Sequence, residues 1–149
     1  AKALLQLGTA MENGVVYNLL VRNIQDLNEN TMADTSVLIS YYEAQTNDVV
    51  INEIMADPSP VVGLPEWEFV ELYNNTNIPI NLEGWKLMIG TGERIMGAVS
   101  IQPKDFLLLG HENSSQELST YGNFFGFSSF QLANSGASLS LLGKQGQMV

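Results

Sequence analysis

The sequence predicts an all-β fold, a sandwich of short strands, on three observations. Apolar runs rich in β-branched and aromatic residues recur through the chain about 8–12 residues apart. Proline, glycine and asparagine punctuate them. No apolar stripe of helical period persists beyond two turns anywhere in the 149 residues.

Taken in order, Tyr17, Leu19 and Val21 alternate with Asn18, Leu20 and Arg22, which reads as a strand. Residues 23–30, Asn-Ile-Gln-Asp-Leu-Asn-Glu-Asn, supply turn chemistry, and Val37–Tyr42 reads as a second strand. Val49–Pro58, Glu66–Asn74 and Ile80–Leu87 follow as the most informative runs. Gly90-Thr91-Gly92 turns, Ile95–Ile101 reads as a strand, and Gln102–Asp105 turns again. Phe106–Gly110 is continuously apolar, the mark of a strand covered on both faces. Phe124–Leu132 is aromatic and irregular, and Ala137–Leu142 is a last strand between the turns Asn134–Gly136 and Gly143–Gly146.

Composition sets the outer limits. Hydrophobic residues make up 45% and charged residues 15%, so a packed core is expected rather than disorder. No apolar run approaches the roughly 18 residues that would span a bilayer. Six basic residues face sixteen acidic ones, and the basic ones stand singly. Nucleic acids and anionic membranes need clustered positive charge, so neither is expected as a partner. The absence of cysteine removes disulfides, thiolate metal sites and cysteine nucleophiles. The opening Ala1-Lys2-Ala3-Leu4 has neither an initiator methionine nor a signal-peptide layout. It reads as a segment of a longer protein whose export signal lies upstream.

Two resemblances follow from these residues. The blocks "INEI", "FVELYN", "LEGWKL" and "LANSGASLSLLGKQG" occur in the order of the lamin-tail domain, which they resemble. That family is an immunoglobulin-like sandwich found in nuclear lamins and appended to many bacterial secreted proteins. The resemblance implies a domain over residues 48–149 with Trp85 in its core. It also implies one more strand after the last glycine turn, whereas this chain stops at Gln147-Met148-Val149. Without that strand, a sheet edge stays open to self-association. "GVVYNLLVRNIQDLNEN" is similar to the closing half of bacterial Ig-like domains, where an Asp-x-x-Gly-Asn turn follows a Tyr-x-Leu-x-Val strand. Here Asn28-Glu29-Asn30 stands where that pattern has glycine-asparagine. Residues 1–47 are therefore expected to be the end of a preceding Ig-like domain.

Candidate sites are few. Glu53, Asp57, Glu66, Glu68 and Glu71 lie between Val49 and Trp85 with no basic residue among them. A strand pair linked by the Pro58–Pro65 loop, in a register centred near Val62, puts Glu53 opposite Glu71 and Asp57 opposite Trp67. It turns Val50, Ile54, Val70 and Leu72 inward and the acids outward. Oxygen-only ligands suit calcium, so these five are the candidate calcium ligands. The plainer reading is that Lys86 neutralises Glu71 and water solvates the rest, and no spacing matches a known calcium loop. Trp67, Phe124 and Phe125 are the candidate ligand-contact residues, for instance for stacking on a polysaccharide; burial in the core is the competing reading for the phenylalanines.

Catalysis has little support. His111 is the only histidine, Gly-x-Ser-x-Gly is absent, and no phosphate-binding glycine loop follows a strand. Asn74-Asn75-Thr76 and Asn113-Ser114-Ser115 fit the glycosylation sequon. The expected role is a non-catalytic binding or spacer module of an exported or surface-anchored bacterial protein, with neighbouring domains as partners and no resident cofactor. A calcium-dependent carbohydrate-binding module and a small hydrolase using the acidic cluster are the alternatives.

Overall fold

The computed structural model describes residues 4–61, 63 and 65–149. Val62, the centre of the expected register, and Lys2 lie outside the described residues. The chain forms two compact units, Ala1–Glu43 and Ala44–Val149.

The first unit is a two-stranded antiparallel sheet of β1 (Val16–Val21) and β2 (Thr35–Ser40). Tyr17 faces Ile39 and Leu19 faces Val37 across it, as the alternation requires. The connection turns at Asp26, whose carboxylate accepts backbone hydrogen bonds from Asn28 (2.8 Å) and Asn30 (2.9 Å). Glu29 sits in the left-handed region at φ 64°, at the position where the related pattern has glycine. None of the described side chains before Ala44 is fully buried.

The second unit holds the core. Its strands are β3 (Val49–Met55), β4 (Phe69–Asn74), β5 (Ile80–Asn81), β6 (Lys86–Ile89), β7 (Gly92–Ile95), β8 (Ser100–Ile101), β9 (Phe106–His111), β10 (Phe124–Phe127) and β11 (Leu139–Leu142). They form a four-stranded sheet in the order β10-β9-β4-β3, a three-stranded sheet β11-β6-β7 and a short pair β5-β8. Val70, Leu72, Leu107 and Leu109 on the first sheet and Leu87 and Leu141 on the second are buried. Trp85, Leu82, Ile80, Ile101 and Met96 complete that interior. Each such side chain contributes about 1.5–3 kcal/mol by leaving water. The fold is the all-β, immunoglobulin-like sandwich that the sequence predicts, with the indole of Trp85 inside.

One short helical piece interrupts the strands: residues 112–118 coil through a 3₁₀ turn into α1 (Ser115–Leu118). A single turn carries no periodic stripe, so pattern reading passes over it. β10 runs parallel to β9, which needs the crossover that this helical turn supplies. Two expectations need correction. First, the run Ile95–Ile101 is broken: Ile95 ends β7, and the next strand resumes at Ser100 beside β5.

The second concerns the inner face of β3. Glu53 does pair with Glu71, but the register shifts between Ile51 and Glu53, leaving Asn52 as a bulge. Ile51 rather than Val50 therefore shares a face with Leu72, and Ile54, although paired with Val70, is 50% exposed. A bulge adds one residue and reverses which side chains point inward.

Asn74 fastens the sandwich. It is fully buried, and its amide nitrogen lies within hydrogen-bonding distance of the carbonyls of Ile78 (2.8 Å), Ile101 (3.1 Å) and Gln102 (3.0 Å). Its side-chain oxygen accepts from the Thr76 backbone (2.9 Å) and hydroxyl (2.7 Å). The sequon at Asn74 is thus a buried hydrogen-bond hub, closed to a glycan. At the other end of the chain, Gly143 N–H donates to the Gln147 carbonyl (2.8 Å) and Met148 bridges antiparallel to Leu142. The last residues thus turn back along β11.

Candidate functional site

The candidate residues gather on the outer face of the four-stranded sheet. Strand alternation decides which ones. On β4 and the residues before it, Trp67, Phe69 and Glu71 share one face, while Glu68, Val70 and Leu72 share the other. Register then adds Glu53 and Met55 from β3, paired with Glu71 and Phe69, and Leu108 from β9, paired with Glu71 on its other side. Phe124 of β10 lies beside Leu108. Phe69, Leu108 and Leu118 form a buried cluster there, with Met55, Trp67 and Phe124 packed against it half-buried. This second apolar cluster lies on the side of the sheet away from the main core.

Leu118 comes from α1, and two glycines let its turn lie down on the sheet. A Cβ on Gly110 would stand 3.2 Å from both Leu118 and Phe124. A Cβ on Gly126 would stand 2.6 Å from the Cα of Glu112, which no side chain tolerates. The start of the turn is fixed by His111, whose Nδ1 accepts from Asn113 N–H (3.2 Å), and by Ser114, whose hydroxyl donates to the His111 carbonyl (2.6 Å). His111 is therefore a capping residue here.

Between the turn and the strands is a cavity of about 190 Å³ lined by Glu53, Pro65, Phe69, Glu71, Leu108, Leu118 and Tyr121. Its floor is apolar and buried; Glu53 and Tyr121 at its rim are exposed. Glu71 accepts a hydrogen bond from the bulged Asn52 side chain (2.7 Å). Glu53 has no hydrogen-bond or ion-pair partner among the described residues. Lys86, the expected counter-ion for Glu71, instead pairs with Glu93 at 2.7 Å. A wider, more polar depression adjoins at Pro65 and Tyr121, lined also by Gly63, Gln116, Glu117 and Thr120.

The structure brings some predicted residues together and separates others. Trp67, Phe124, Glu53 and Glu71 converge on this face. Phe125 faces the other way, with its ring edge-on to Phe127 at 5.1 Å, so Phe124 and Phe125 do not form one stacking platform. Glu68 also departs: its carboxylate accepts the Leu132 backbone N–H at 2.8 Å. Glu66 accepts from the Ser59 hydroxyl (2.7 Å), and Asp57 is exposed beyond the end of β3. The five carboxylates are therefore not one ligand set, and among the described residues no three acidic or histidine side chains come close enough to hold a metal ion. Calcium takes six to eight oxygens, and period-two alternation divides them here. Sequence reading missed Leu118 and Tyr121, each a lone apolar or aromatic residue in a polar stretch. It also missed the glycines that admit the helical turn.

No curated protein matches the chain. The Lamin Tail Domain family, by contrast, matches residues 43–149, which takes in the whole of the second unit and its outer-face cavity. With this match, the strand order and the buried Trp85, the chain belongs to the lamin tail domain family, as an immunoglobulin-like module.

Proposed function

We propose that the chain is a non-catalytic recognition module of a larger exported bacterial protein, set in series with another Ig-like domain. The observation that carries this reading is the division of labour between the two units. Every buried hydrophobic side chain among the described residues belongs to Ala44–Val149. The β1-β2 pair has Val16, Leu20, Val37 and Leu38 exposed, and a two-stranded sheet alone is marginal in water. Such a pair makes sense as the edge of a domain completed by further strands, with the lamin-tail sandwich following it in the same polypeptide. In the sandwich, the face with a second apolar cluster is the one suited to recognition, because half-buried aromatics beside a cavity make good anchors. Residues past the Gly143–Gly146 turn, which already run back along β11, are read as the start of the family's further strand.

The test is a turnover screen on the purified chain with ester, phosphate-ester and glycoside substrates, alongside calorimetry with a polysaccharide panel in calcium. The module reading expects no turnover. Turnover lost in both Glu53→Gln and Glu71→Gln would establish a hydrolase instead. Heat from a polysaccharide that depends on calcium would establish the carbohydrate-binding alternative.

A further inference from the structure

We propose that the outer-face cavity is a socket for a single lysine side chain presented by a protein partner. The inference deepens the recognition-module reading and rests on it, since it names what the module would hold. Size comes first. At about 190 Å³ the cavity is smaller than the roughly 300–1,000 Å³ of small-molecule and cofactor sites. It suits one side chain rather than a sugar ring system or a nucleotide. Shape and chemistry come next. The walls are Phe69, Leu108, Leu118 and Pro65, an apolar sleeve for a stem of methylenes. At one side of the rim stand Glu53 and Glu71, on adjacent strands and directly opposite each other.

Directly opposed residues in an antiparallel pair have Cβ atoms about 4.5–5.5 Å apart, so both carboxylates can reach one point between them. Like charges so placed destabilise the pair, and no cation among the described residues offsets them. A long side chain with an apolar stem and a cationic tip complements both halves of the cavity at once. Tyr121, which also lines the cavity and is 57% exposed, adds an aromatic ring toward which a cation is drawn. Lysine is favoured over arginine. Its ammonium is a compact charge with three donors that two converging carboxylates can share, whereas a guanidinium fork matches one carboxylate side-on. The occupant is therefore a basic segment of a protein partner, with lysine as its anchor.

The experiment is a ¹⁵N-NMR titration of the full chain with three capped pentapeptides, Ala-Ala-Xaa-Ala-Ala, in which Xaa is lysine, arginine or norleucine. The lysine peptide is expected to move the amides of Glu53, Glu71, Leu118 and Tyr121 saturably, with a Kd of about 1 mM. Norleucine, which keeps the stem and lacks the charge, should not saturate, and arginine should bind more weakly. Glu53→Gln and Glu71→Gln should each weaken the lysine peptide by about five- to tenfold, with the rest of the spectrum unchanged. The proposal is overturned if the lysine peptide does not saturate, if norleucine or arginine binds as tightly, or if both variants bind it unchanged. It is equally overturned if calcium chloride alone moves the same amides and displaces the peptide, which would make the pair a metal site. Failure in this titration leaves the module reading standing, because that reading falls only to turnover or to calcium-dependent binding of a polysaccharide.

Discussion

At the scale of single residues, burial rather than residue type separates structure from function. Asn74 is one of the few buried polar side chains among those described, and it joins three carbonyls from two separate turns. Replacing it with alanine strands those carbonyls away from water, at about 1–3 kcal/mol for an unmet group. Asn74→Ala should therefore lower unfolding free energy in urea by about 2–4 kcal/mol; a loss below 1 kcal/mol would refute the hub. Asp26 makes a second prediction. The Asn30 side chain, and then the Asn30 and Asn28 backbone N–H groups, hold its carboxyl below its ordinary value of 3.8. A depressed carboxylate stabilises the turn above its unfolded pKa, and that contribution disappears as pH falls through the folded value. Carboxyl NMR should thus show Asp26 titrating below an unstructured aspartate, with the Asn28 and Asn30 amides shifting in step. An Asp26 midpoint at or above 3.8 would contradict the turn. The asparagine-rich turn could be read from the sequence. The hub could not, because burial of Asn74 depends on chain segments 27 and 28 residues away.

At the scale of elements, the strands of the sandwich were largely readable and the helical turn was not. β3, β4, β6 and β11 follow from short apolar runs bounded by turns, and β9 from a continuous apolar run, because each covers a core with at least one face. The pairing of Glu53 with Glu71 follows from where the connecting loop folds back. The bulge at Asn52 does not, since one inserted residue leaves no trace in composition. The turn at residues 112–118 depends on glycine, through a close approach that no local pattern reveals. Gly126→Ala places a methyl 2.6 Å from the Glu112 backbone. The turn must shift, at a cost of about 1–3 kcal/mol, and amide exchange should quicken at Leu118 and Thr120 first. Unchanged exchange there would mean that the turn does not rest on β10.

At the scale of the whole molecule, fold and family agree, and the proposed recognition face is the outer side of one sheet. The sequence could point to the acids and aromatics of that face. It could not say that alternation sends Glu68 and Phe125 elsewhere and leaves Trp67, Phe124, Glu53 and Glu71 together. Since the buried side chains belong to Ala44–Val149, those residues expressed alone should melt cooperatively; a broad, non-cooperative melt would show that the core needs the first unit. The proposed recognition face depends on two acids from neighbouring strands meeting above one cavity. A double-mutant cycle on thermal stability with Glu53→Gln, Glu71→Gln and the double variant measures that meeting directly. Each single change should stabilise the chain, and the pair should gain less than the sum, with a coupling of about 0.3–1 kcal/mol that weakens in high salt. Two changes that simply add, with no dependence on salt, would mean that the carboxylates do not face each other and that the cavity lacks its charged rim.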